Sequence, residues 1–410
     1  MILPREVENI IRLLKDNTHD AYIVGGCVRD ALLGRTPNDW DITTDAKPQE
    51  IKKIFRKTID TGIEHGTVTV LMNGSGYEVT TYRVDGDYSD HRRPDSVTFT
   101  DNLIEDLKRR DFTINAMAYN HERGIVDEFG GQEDLKTGLV RCVGNPNERF
   151  TEDALRILRA IRFSAQLGFE IEKTTQNEIG HHAPDLPAVS AERILTELNK
   201  TINSAHPEKL QLIWDLGLEN YISKNFKKIK NASGLVPGYK GTWAALMRDN
   251  TVEEADEILR ELKSDNDTRR STMALVAEYK NPLPQTEADI RHVLNRIGPE
   301  LFDTLMDMYA SAPIARDSSG CDSDSSSERV SDAFAERKSE ISHLCAIKEA
   351  IIARGDAYTL SQLAITGNDL ISLGHAPGPA LGHTLNNLLE EVIEDPALNT
   401  RENLLARIAR

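Results

Sequence analysis

The chain has few of the sequence features that are typical of secreted proteins, proteins with structural metal sites or membrane proteins. Its 410 residues include only four cysteines, Cys27, Cys142, Cys321 and Cys345, which are far apart, without C-x-x-C spacing or histidines at metal-ligand spacing. This usage indicates neither a disulfide framework nor a structural zinc site. No apolar run approaches the about 20 residues that a membrane-spanning helix requires, and the charged N-terminus lacks a signal-peptide core. We therefore expect a cytoplasmic protein with no membrane partner.

The sequence also lacks a basic excess. It has 49 lysines and arginines against 66 aspartates and glutamates, a formal net charge of -17. That balance excludes tight, indiscriminate coating of nucleic acid, but it does not exclude RNA as a substrate held at a few local contacts. Hydrophobic residues make up 39% of the chain, which is enough to build several cores. At about 100 to 200 residues per domain, the length suggests two to four domains.

Secondary-structure signals change near residue 145. Before this point, alternating apolar residues predict short strands at 22–24, 40–42, 67–72 and 77–83, with a hairpin turn at 73–76 and a helix over 28–33. From residue 151 onward, apolar residues recur at helical spacing for about 260 residues. The predicted fold class is therefore α+β, a sheet-containing first domain followed by an all-helical region. A Ser/Asp-rich segment at 317–327 is predicted to be a surface loop of unknown role.

Two carboxylates at alternate positions form the first candidate site. Asp39 and Asp41 flank Trp40 in a predicted strand, and residues i and i+2 of a strand project to the same face. Mg²⁺ prefers a few carboxylates together with substrate phosphate oxygens, so this pair suits a metal-dependent phosphoryl-transfer site. Glu78, on a later predicted strand, is a candidate third carboxylate. Alone the pattern is weak, because two aspartates around a tryptophan are more often surface or turn residues.

A glycine pair precedes these aspartates. Gly25 and Gly26 lie between a predicted strand and a predicted helix, where backbone N–H groups can approach a phosphate and Arg29 adds a bidentate donor. The competing interpretation is an ordinary strand–glycine–helix turn in which Arg29 pairs with a surface acid. Beside Asp39 and Asp41, the turn predicts a triphosphate cradle next to a metal site.

Longer motifs around these residues resemble the class II tRNA nucleotidyltransferase and bacterial poly(A) polymerase family of the polymerase-β-like superfamily. The resemblance covers residues 20–200 closely and keeps the family's order, which chance does not explain. It implies a polymerase-β-like nucleotidyltransferase head with a mixed or antiparallel sheet, then an all-α neck, body and tail, with bounds at 1–145, 146–205, 206–290 and 291–410. The segments that carry the resemblance are residues 25–41, 109–116, 127–135, 152–163 and 190–198.

Asp153 and Arg156 resemble the family's nucleobase-reading motif. On a helix they are neighbours at i, i+3; a carboxylate accepts from an exocyclic amino group, and a guanidinium donates to the adjacent ring nitrogen. Cytosine and adenine offer this pattern, whereas guanine and uracil offer the reverse and leave buried groups unpaired, at about 1–3 kcal/mol each. From the residues alone, a surface salt bridge is the competing interpretation. The resemblance favours base reading and makes Arg159 and Arg162 candidate nucleotide contacts.

The resemblance implies a CCA-adding enzyme of the type with about 400 residues found in Gram-positive bacteria. Such an enzyme transfers C, C and A in sequence from CTP and ATP to the 3′ hydroxyl of an immature or damaged tRNA, and pyrophosphate leaves at each step. By the same resemblance Asp39 and Asp41 hold Mg²⁺ and act in catalysis with Glu78. The residues expected to bind ATP or CTP are Gly26, Arg29, Arg110, Asp153, Arg156, Arg159 and Arg162.

Several alternatives stay open within the same chemistry: a poly(A) polymerase, an A-adding enzyme or a CC-adding enzyme. The polar segment 85–94 resembles the flexible loop of members that add the final A, so it favours complete CCA addition. The chain shows no basic C-terminal extension of the kind usual in poly(A) polymerases. A catalytically silent tRNA-binding protein is the alternative from another class, and the two intact aspartates count against it.

A lysine cluster in the predicted body has two interpretations. Its members can meet RNA phosphates, or they can form a solvated loop with no partner. Whether the protein forms a homodimer stays open. The cluster consists of Lys224, Lys227, Lys228, Lys230 and Lys240.

Overall fold

The computed structural model describes residues 1–86, 96–232, 235, 242–312 and 325–408, without the side chains of residues 242 and 325–333. The chain divides into two compact units, residues 1–230 with 261–263 and residues 231–260 with 264–410. Residues 87–94 and 317–324 of the predicted loops lie outside the described residues, as does Lys240. At the ends of these loops the prediction is wrong, because Asp85 ends a strand and residues 325–327 begin a helix. No helix in the described ranges is both long enough and apolar enough to cross a membrane.

A mixed sheet of seven strands, in the order β3-β4-β5-β2-β1-β8-β9, forms the centre of the first unit. β2 and β5 run parallel, and the other neighbours in this sheet run antiparallel. This confirms the predicted α+β class. The strands are β1 (Ala21–Val24), β2 (Ile42–Thr44), β3 (Thr58–Gly62), β4 (Thr67–Met72), β5 (Ser75–Thr81), β6 (Arg83–Asp85), β7 (Val97–Phe99), β8 (Ala118–Asn120), β9 (Gly124–Val126), β10 (Leu139–Val140) and β11 (Glu170–Ile171).

The first three helices of the chain contact this sheet, and helices are the main element of the described residues beyond residue 145. Those before residue 231 are α1 (Arg5–Asp16), α2 (Gly26–Leu32), α3 (Pro48–Ile54), α4 (Leu103–Lys108), α5 (Gly131–Thr137), α6 (Pro146–Glu152), α7 (Leu155–Leu167), α8 (Lys173–His182), α9 (Ala191–Ile202), α10 (Leu212–Asp215) and α11 (Glu219–Ile222). Those that follow are α12 (Thr242–Leu246), α13 (Val252–Glu261), α14 (Asn266–Glu278), α15 (Glu287–Ser311), α16 (Ser325–Arg354), α17 (Gly367–Ser372), α18 (Pro379–Glu394) and α19 (Arg401–Ile408).

The helical region contains a strand that its prediction lacks, and it agrees with the prediction at one break. β11 pairs in parallel with β10, so a short strand interrupts a stretch that periodicity alone predicts as pure helix. Within α15, Gly298 has a non-helical backbone (φ 77°) and Pro299 follows it, which separates the two helices predicted on either side. The left-handed φ is accessible to glycine without a Cβ clash, and proline cannot continue the hydrogen bonding of a helix.

The packing of α7 against α9 positions one side of the site described below. Ile157 and Ile161 of α7 are buried, and so are Ile194 and Leu198 of α9. These residues recur at spacings of four, which places them on one face of each helix. The helix faces that meet therefore also fix where the polar residues between the apolar ones lie.

Candidate active site

The glycine turn lies at the end of a fully buried strand. β1 runs into Gly25, which has φ 80° and ψ −129° and precedes the first residue of α2. A Cβ built on Gly25 would lie 2.9 Å from Nη1 of Arg110, so only glycine lets that guanidinium approach the turn so closely. Nε of Arg110 is buried and has no hydrogen-bond partner among the described residues. An unpaired buried donor of this kind suits an anionic ligand.

The structure corrects the predicted setting of Asp39 and Asp41. Both residues precede β2, which begins only at Ile42, so they do not lie within a strand. Pairing with β1 nevertheless reaches back to Asp41, whose main-chain oxygen accepts from the N–H of Val24 at 3.0 Å. The two carboxylates are therefore held beside the end of β1 by the start of the ladder, next to the glycine turn.

Glu78 lies beside the two aspartates. In the parallel pairing of β2 with β5, Ile42 lies opposite Val79, which brings the residues just before each of them together. Partial desolvation by nearby protein atoms raises the pKa of Asp41. The charge on Arg110 opposes this shift, and the charge on Asp39 adds to it. Nearby protein atoms also raise the pKa of Glu78, although the residue is exposed, and the charges on Asp41 and Asp39 raise it further. We call Asp39, Asp41 and Glu78 the carboxylate edge.

The donors of the carboxylate edge fit a divalent cation. All three are carboxylate oxygens, the ligand type that Mg²⁺ prefers, and their mutual repulsion would be relieved by a positive charge. No group of three Asp, Glu, His or Cys residues in the described part of the chain is placed so that it could hold a metal ion by itself. Mg²⁺ usually keeps several waters and takes oxygens from substrate phosphates, so a partial set of protein ligands is what it requires.

A cavity of about 480 Å³ opens beside the glycine turn. Its walls come from α2, from the segment around residue 110 and from α7 and α9. The cavity brings together eight of the ten predicted site residues, whereas Asp39 and Glu78 are not among its lining residues. The eight are Gly26, Arg29, Asp41, Arg110, Asp153, Arg156, Arg159 and Arg162.

Asp153 and Arg156 line the cavity in a way that the helical wheel does not predict. Asp153 has an extended backbone (φ −149°, ψ 103°) between α6 and α7, so the placement of this residue within a helix is wrong. Its carboxylate accepts from Nη2 of Arg193 at 2.7 Å and from the N–H of Leu155 at 3.0 Å. Arg156 is buried and pairs with Glu152, whereas Asp153 pairs with Arg193, so the two residues do not form a surface salt bridge with each other.

A chain of hydrogen bonds joins α7 to α2, the helix that follows the glycine turn. Nε of Arg159 donates to Asp111 at 2.8 Å, and Nδ2 of Asn115 donates to the other oxygen of Asp111 at 3.1 Å. Oδ1 of Asn115 in turn accepts from Nη1 of Arg29 at 2.6 Å. Burial opposes ionisation of Asp111, but Arg159 and Asn115 outweigh it and hold the pKa of that carboxyl far below its usual range. The guanidiniums of Arg29 and Arg159 are thus oriented by one connected set of bonds.

Guanidinium groups gather around the ring of Phe163. The carbon Cζ of Arg162 lies 4.1 Å from the ring centroid, that of Arg29 5.1 Å and that of Arg159 5.5 Å. Arg162 also forms an ion pair of 3.0 Å with Glu197 of α9. Burial and the neighbouring Arg159 lower the pKa of Arg162 to about 10, so it stays charged at neutral pH. We call Arg29, Arg156, Arg159 and Arg162 the arginine wall.

Sequence reasoning did not assign a role to five polar or aromatic residues that the structure places in the cavity lining. Asp111 and Asn115 lie in the segment 109–116 and Arg193 lies in 190–198, so the resemblance contained them without giving them a role. Their partners are separated from them by 40 to 86 residues, which no local pattern reveals. The five are Asp111, Asn115, Phe163, Gln166 and Arg193.

Comparisons with known proteins agree along the whole chain. The family model "Poly A polymerase head domain" matches residues 21–141, the model "Probable RNA and SrmB- binding site of polymerase A" matches residues 168–230, and a model of tRNA nucleotidyltransferase domain 2 matches residues 328–408. The chain is 37% identical to the CCA-adding enzyme of Leuconostoc mesenteroides, over 98% of this chain and 96% of that protein. It is also 37% identical to the CCA-adding enzyme of Geobacillus kaustophilus, over 97% and 94%.

Solved structures show the same likeness. The crystal structure of the Bacillus stearothermophilus CCA-adding enzyme in complex with CTP is similar with a TM-score of 0.78 and 32% identity, and the match covers 100% of this chain and 98% of that one. The Thermotoga maritima CCA-adding enzyme complexed with tRNA shares the fold at a TM-score of 0.62 and 20% identity, over 100% and 96% of the two chains.

Proposed function

The chain belongs to the family of CCA-adding enzymes, which are tRNA nucleotidyltransferases, and we propose that its cavity binds CTP and ATP for transfer to the 3′ end of tRNA. The observation that carries this proposal is the convergence of eight predicted nucleotide or metal residues on one cavity. Its volume of about 480 Å³ lies within the range of small-molecule sites.

The reaction joins the 3′ oxygen of tRNA to the α-phosphorus of the nucleotide, and the bond from that phosphorus to pyrophosphate breaks. Arg29 and Arg110 bind the triphosphate, because a guanidinium offers paired donors to phosphate oxygens. Asp39 and Asp41 hold Mg²⁺, and Glu78 adds negative charge beside them. A bound Mg²⁺ supplies activation of the attacking hydroxyl and neutralises charge on the leaving group.

Base choice is made by the protein. Asp153 accepts from the amino group of cytosine or adenine, and Arg156 donates to the adjacent ring nitrogen. Guanine and uracil place an acceptor where Asp153 needs a donor, so they leave buried polar groups unpaired. The neck, at residues 146–205, carries this reader.

The helical body at 206–290 and tail at 291–410 hold the RNA. Because one enzyme must accept every tRNA, we expect recognition through shape and backbone rather than through base sequence. The lysine cluster supplies candidate phosphate contacts, of which Lys224, Lys227, Lys228 and Lys230 lie among the described residues.

Product length on a tRNA that lacks its terminal CCA tests the proposal. Purified protein with Mg²⁺, CTP and ATP should add C, C and A in discrete steps and then stop. The double substitution Asp39→Ala plus Asp41→Ala should lower the rate by at least about 1,000-fold, because it removes the metal-binding carboxylates. Asp60→Asn is the matched control, since Asp60 is 46% exposed and pairs only at the surface with Lys52.

The other outcomes identify the alternatives. A long A ladder from ATP alone indicates a poly(A) polymerase, and a product that ends after CC or that gains only A indicates the corresponding relative. If the wild-type protein binds tRNA but incorporates nothing, it is a silent binding protein. Full activity of the double variant would remove Asp39 and Asp41 from the mechanism.

A further inference from the structure

Asp153 needs an external support to act as a base reader. It lies at the break between α6 and α7 with an extended backbone. Its main-chain N–H donates to Arg149 and its main-chain oxygen accepts from Arg156, but these bonds fix the backbone and not the carboxylate. A carboxylate that discriminates bases must present an acceptor at one position, because a rotated or mobile group can satisfy other donor patterns. This inference rests on the proposed function, and it concerns what keeps Asp153 in place.

Arg193 of α9 donates hydrogen bonds to both carboxylate oxygens of Asp153. Nη1 of Arg193 lies 3.3 Å from Oδ1 and Nη2 lies 2.7 Å from Oδ2, the two-pronged geometry that makes an arginine–carboxylate pair directional. The side chains are only 23% and 15% exposed, so water screens the pair weakly. Leu155 at the start of α7 adds a third bond, from its N–H to Oδ1 at 3.0 Å.

These contacts leave little acceptor capacity to spare. An ionised carboxylate offers about four lone-pair sites and has no proton to donate. Arg193 and Leu155 use three of these sites, so about one remains for a ligand in the cavity that Asp153 lines. A single remaining acceptor matches the single amino group that cytosine and adenine present on the pairing edge.

Helix α9 also forms an ion pair with a second residue of the cavity lining. Glu197 lies one turn after Arg193 on α9 and forms the 3.0 Å ion pair with Arg162 of α7. Ile194 and Leu198, next to these two polar residues in sequence, are buried. The packed face of α9 therefore presents a cation to Asp153 and an anion to Arg162 from one rigid element.

We propose that Arg193 is a positioning residue for base selection: it fixes the carboxylate of Asp153 so that one acceptor is left for the amino group of cytosine or adenine. Arg193 then acts through Asp153 rather than on the nucleotide. Because Arg193 itself lines the cavity, a direct contact with phosphate is the alternative that the experiment must separate.

A double-mutant cycle on nucleotide choice makes that separation. The variants are Arg193→Gln, Arg193→Lys, Asp153→Asn and the combination of Arg193→Gln with Asp153→Asn. For each, kcat/KM is measured with CTP, ATP, UTP and GTP on tRNA that lacks its 3′ end, together with the melting temperature. Lys200→Gln is the matched control, because Lys200 is an exposed cation on the same helix.

We expect Arg193→Gln to reduce the preference for CTP and ATP over UTP and GTP by about 10-fold. Arg193→Lys should retain part of the preference, since an ammonium keeps the positive charge but cannot bind both carboxylate oxygens as a guanidinium does. In the Asp153→Asn background, Arg193→Gln should change the preference by less than about 2-fold, because residues that act as one unit are not additive. Lys200→Gln should leave the preference unchanged.

Other results overturn the proposal and say why. An equal rise of KM for all four nucleotides that persists in the Asp153→Asn background identifies Arg193 as a direct phosphate contact. A lower melting temperature with unchanged preference identifies a purely structural role. If wild type incorporates nothing, or if Asp153→Asn chooses bases as wild type does, the proposed function or its base reader fails as well. If only Arg193→Gln is neutral, the positioning role alone is wrong.

Discussion

The carboxylate edge and the arginine wall are neighbours in one site, but they treat charge in opposite ways. Every guanidinium of the wall has a carboxylate of the protein as its partner: Asp30 for Arg29, Glu152 for Arg156, Asp111 for Arg159 and Glu197 for Arg162. None of the three acids of the edge forms an ion pair within the described part of the chain; the pKa of Asp41 is raised overall, although the charge on Arg110 partly opposes that shift.

The difference indicates that the wall is preorganised for its ligand, whereas the edge is unstable until a cation binds. Groups that the protein has already paired are oriented before the nucleotide arrives, so binding does not have to reorganise them. Groups that repel one another raise the energy of the empty site and favour a cation from solution. The wall is thus suited to recognise the nucleotide, and the edge is suited to recruit the metal.

The substitution with the largest expected effect on stability removes a carboxylate that pairs with the wall. Asp111→Asn leaves Arg159 without its buried partner and should lower the free energy of unfolding by about 3 kcal/mol. The lowered pKa of Asp111 sets the pH dependence: its stabilisation is complete above the unfolded-state value of about 3.9 and is lost as the pH falls from there through the folded-state pKa. The gap between wild type and variant, measured by urea unfolding, should therefore narrow below about pH 4.

A surface pair gives the matched control for this prediction. Asp60→Asn breaks the ion pair with Lys52, whose two side chains are 46% and 33% exposed, and should change the unfolding free energy by less than about 1 kcal/mol. If Asp111→Asn lowers the unfolding free energy by no more than Asp60→Asn does, the carboxylate partners do not stabilise the wall. The proposed contrast between wall and edge would then be wrong.

A smaller test acts on the point where edge and wall meet. Gly25→Ala puts a Cβ at φ 80° and 2.9 Å from Nη1 of Arg110, so both backbone strain and displacement of the guanidinium follow. We expect a loss of about 1–2 kcal/mol by urea unfolding, together with a higher KM for CTP.

The adjacent glycine provides the control. A Cβ on Gly26 meets only Nη2 of Arg29, at an ordinary 3.6 Å, and its backbone is helical. Gly26→Ala should therefore keep or raise stability by up to about 1 kcal/mol. Equal losses for Gly25→Ala and Gly26→Ala would mean that Arg110 does not depend on the turn.

The sequence predicts well what short-range forces decide. Alternating residues and the turn predicted at 73–76 indicate the β4–β5 hairpin, although the turn is shorter than predicted because β5 begins at Ser75. Its two central residues, Asn73 and Gly74, have the positive φ (51° and 86°) that such a turn requires. Gly298 and Pro299 likewise break α15 where the pattern predicts two helices. These elements are determined by residues within a few positions of one another.

Long-range contacts decide what the sequence missed. Residues 151–167 favour a continuous helix by their periodicity, but Asp153 leaves it to meet Arg193, 40 residues later. Asp111 and Arg159 are 48 residues apart, and Arg29 and Asn115 are 86 apart. Residue types could nominate the members of the wall, whereas their partners depend on tertiary packing that no local pattern encodes.

Among the substitutions, the smallest change in unfolding free energy is expected at the carboxylate edge, and its sign is opposite to that at the wall. The pKa of Asp41 is raised, so its ionised form costs folding energy at neutral pH, and that cost disappears once the pH is low enough for the folded and unfolded chains to be protonated. With EDTA at pH 7, Asp41→Asn should therefore raise the unfolding free energy, by less than about 1 kcal/mol. With Mg²⁺ at 100 times its dissociation constant, wild type should gain about 2.7 kcal/mol and overtake the variant. An equal gain for both proteins would show that the cation binds elsewhere, and the edge would then be an uncompensated cluster of acids rather than the counterpart of the wall.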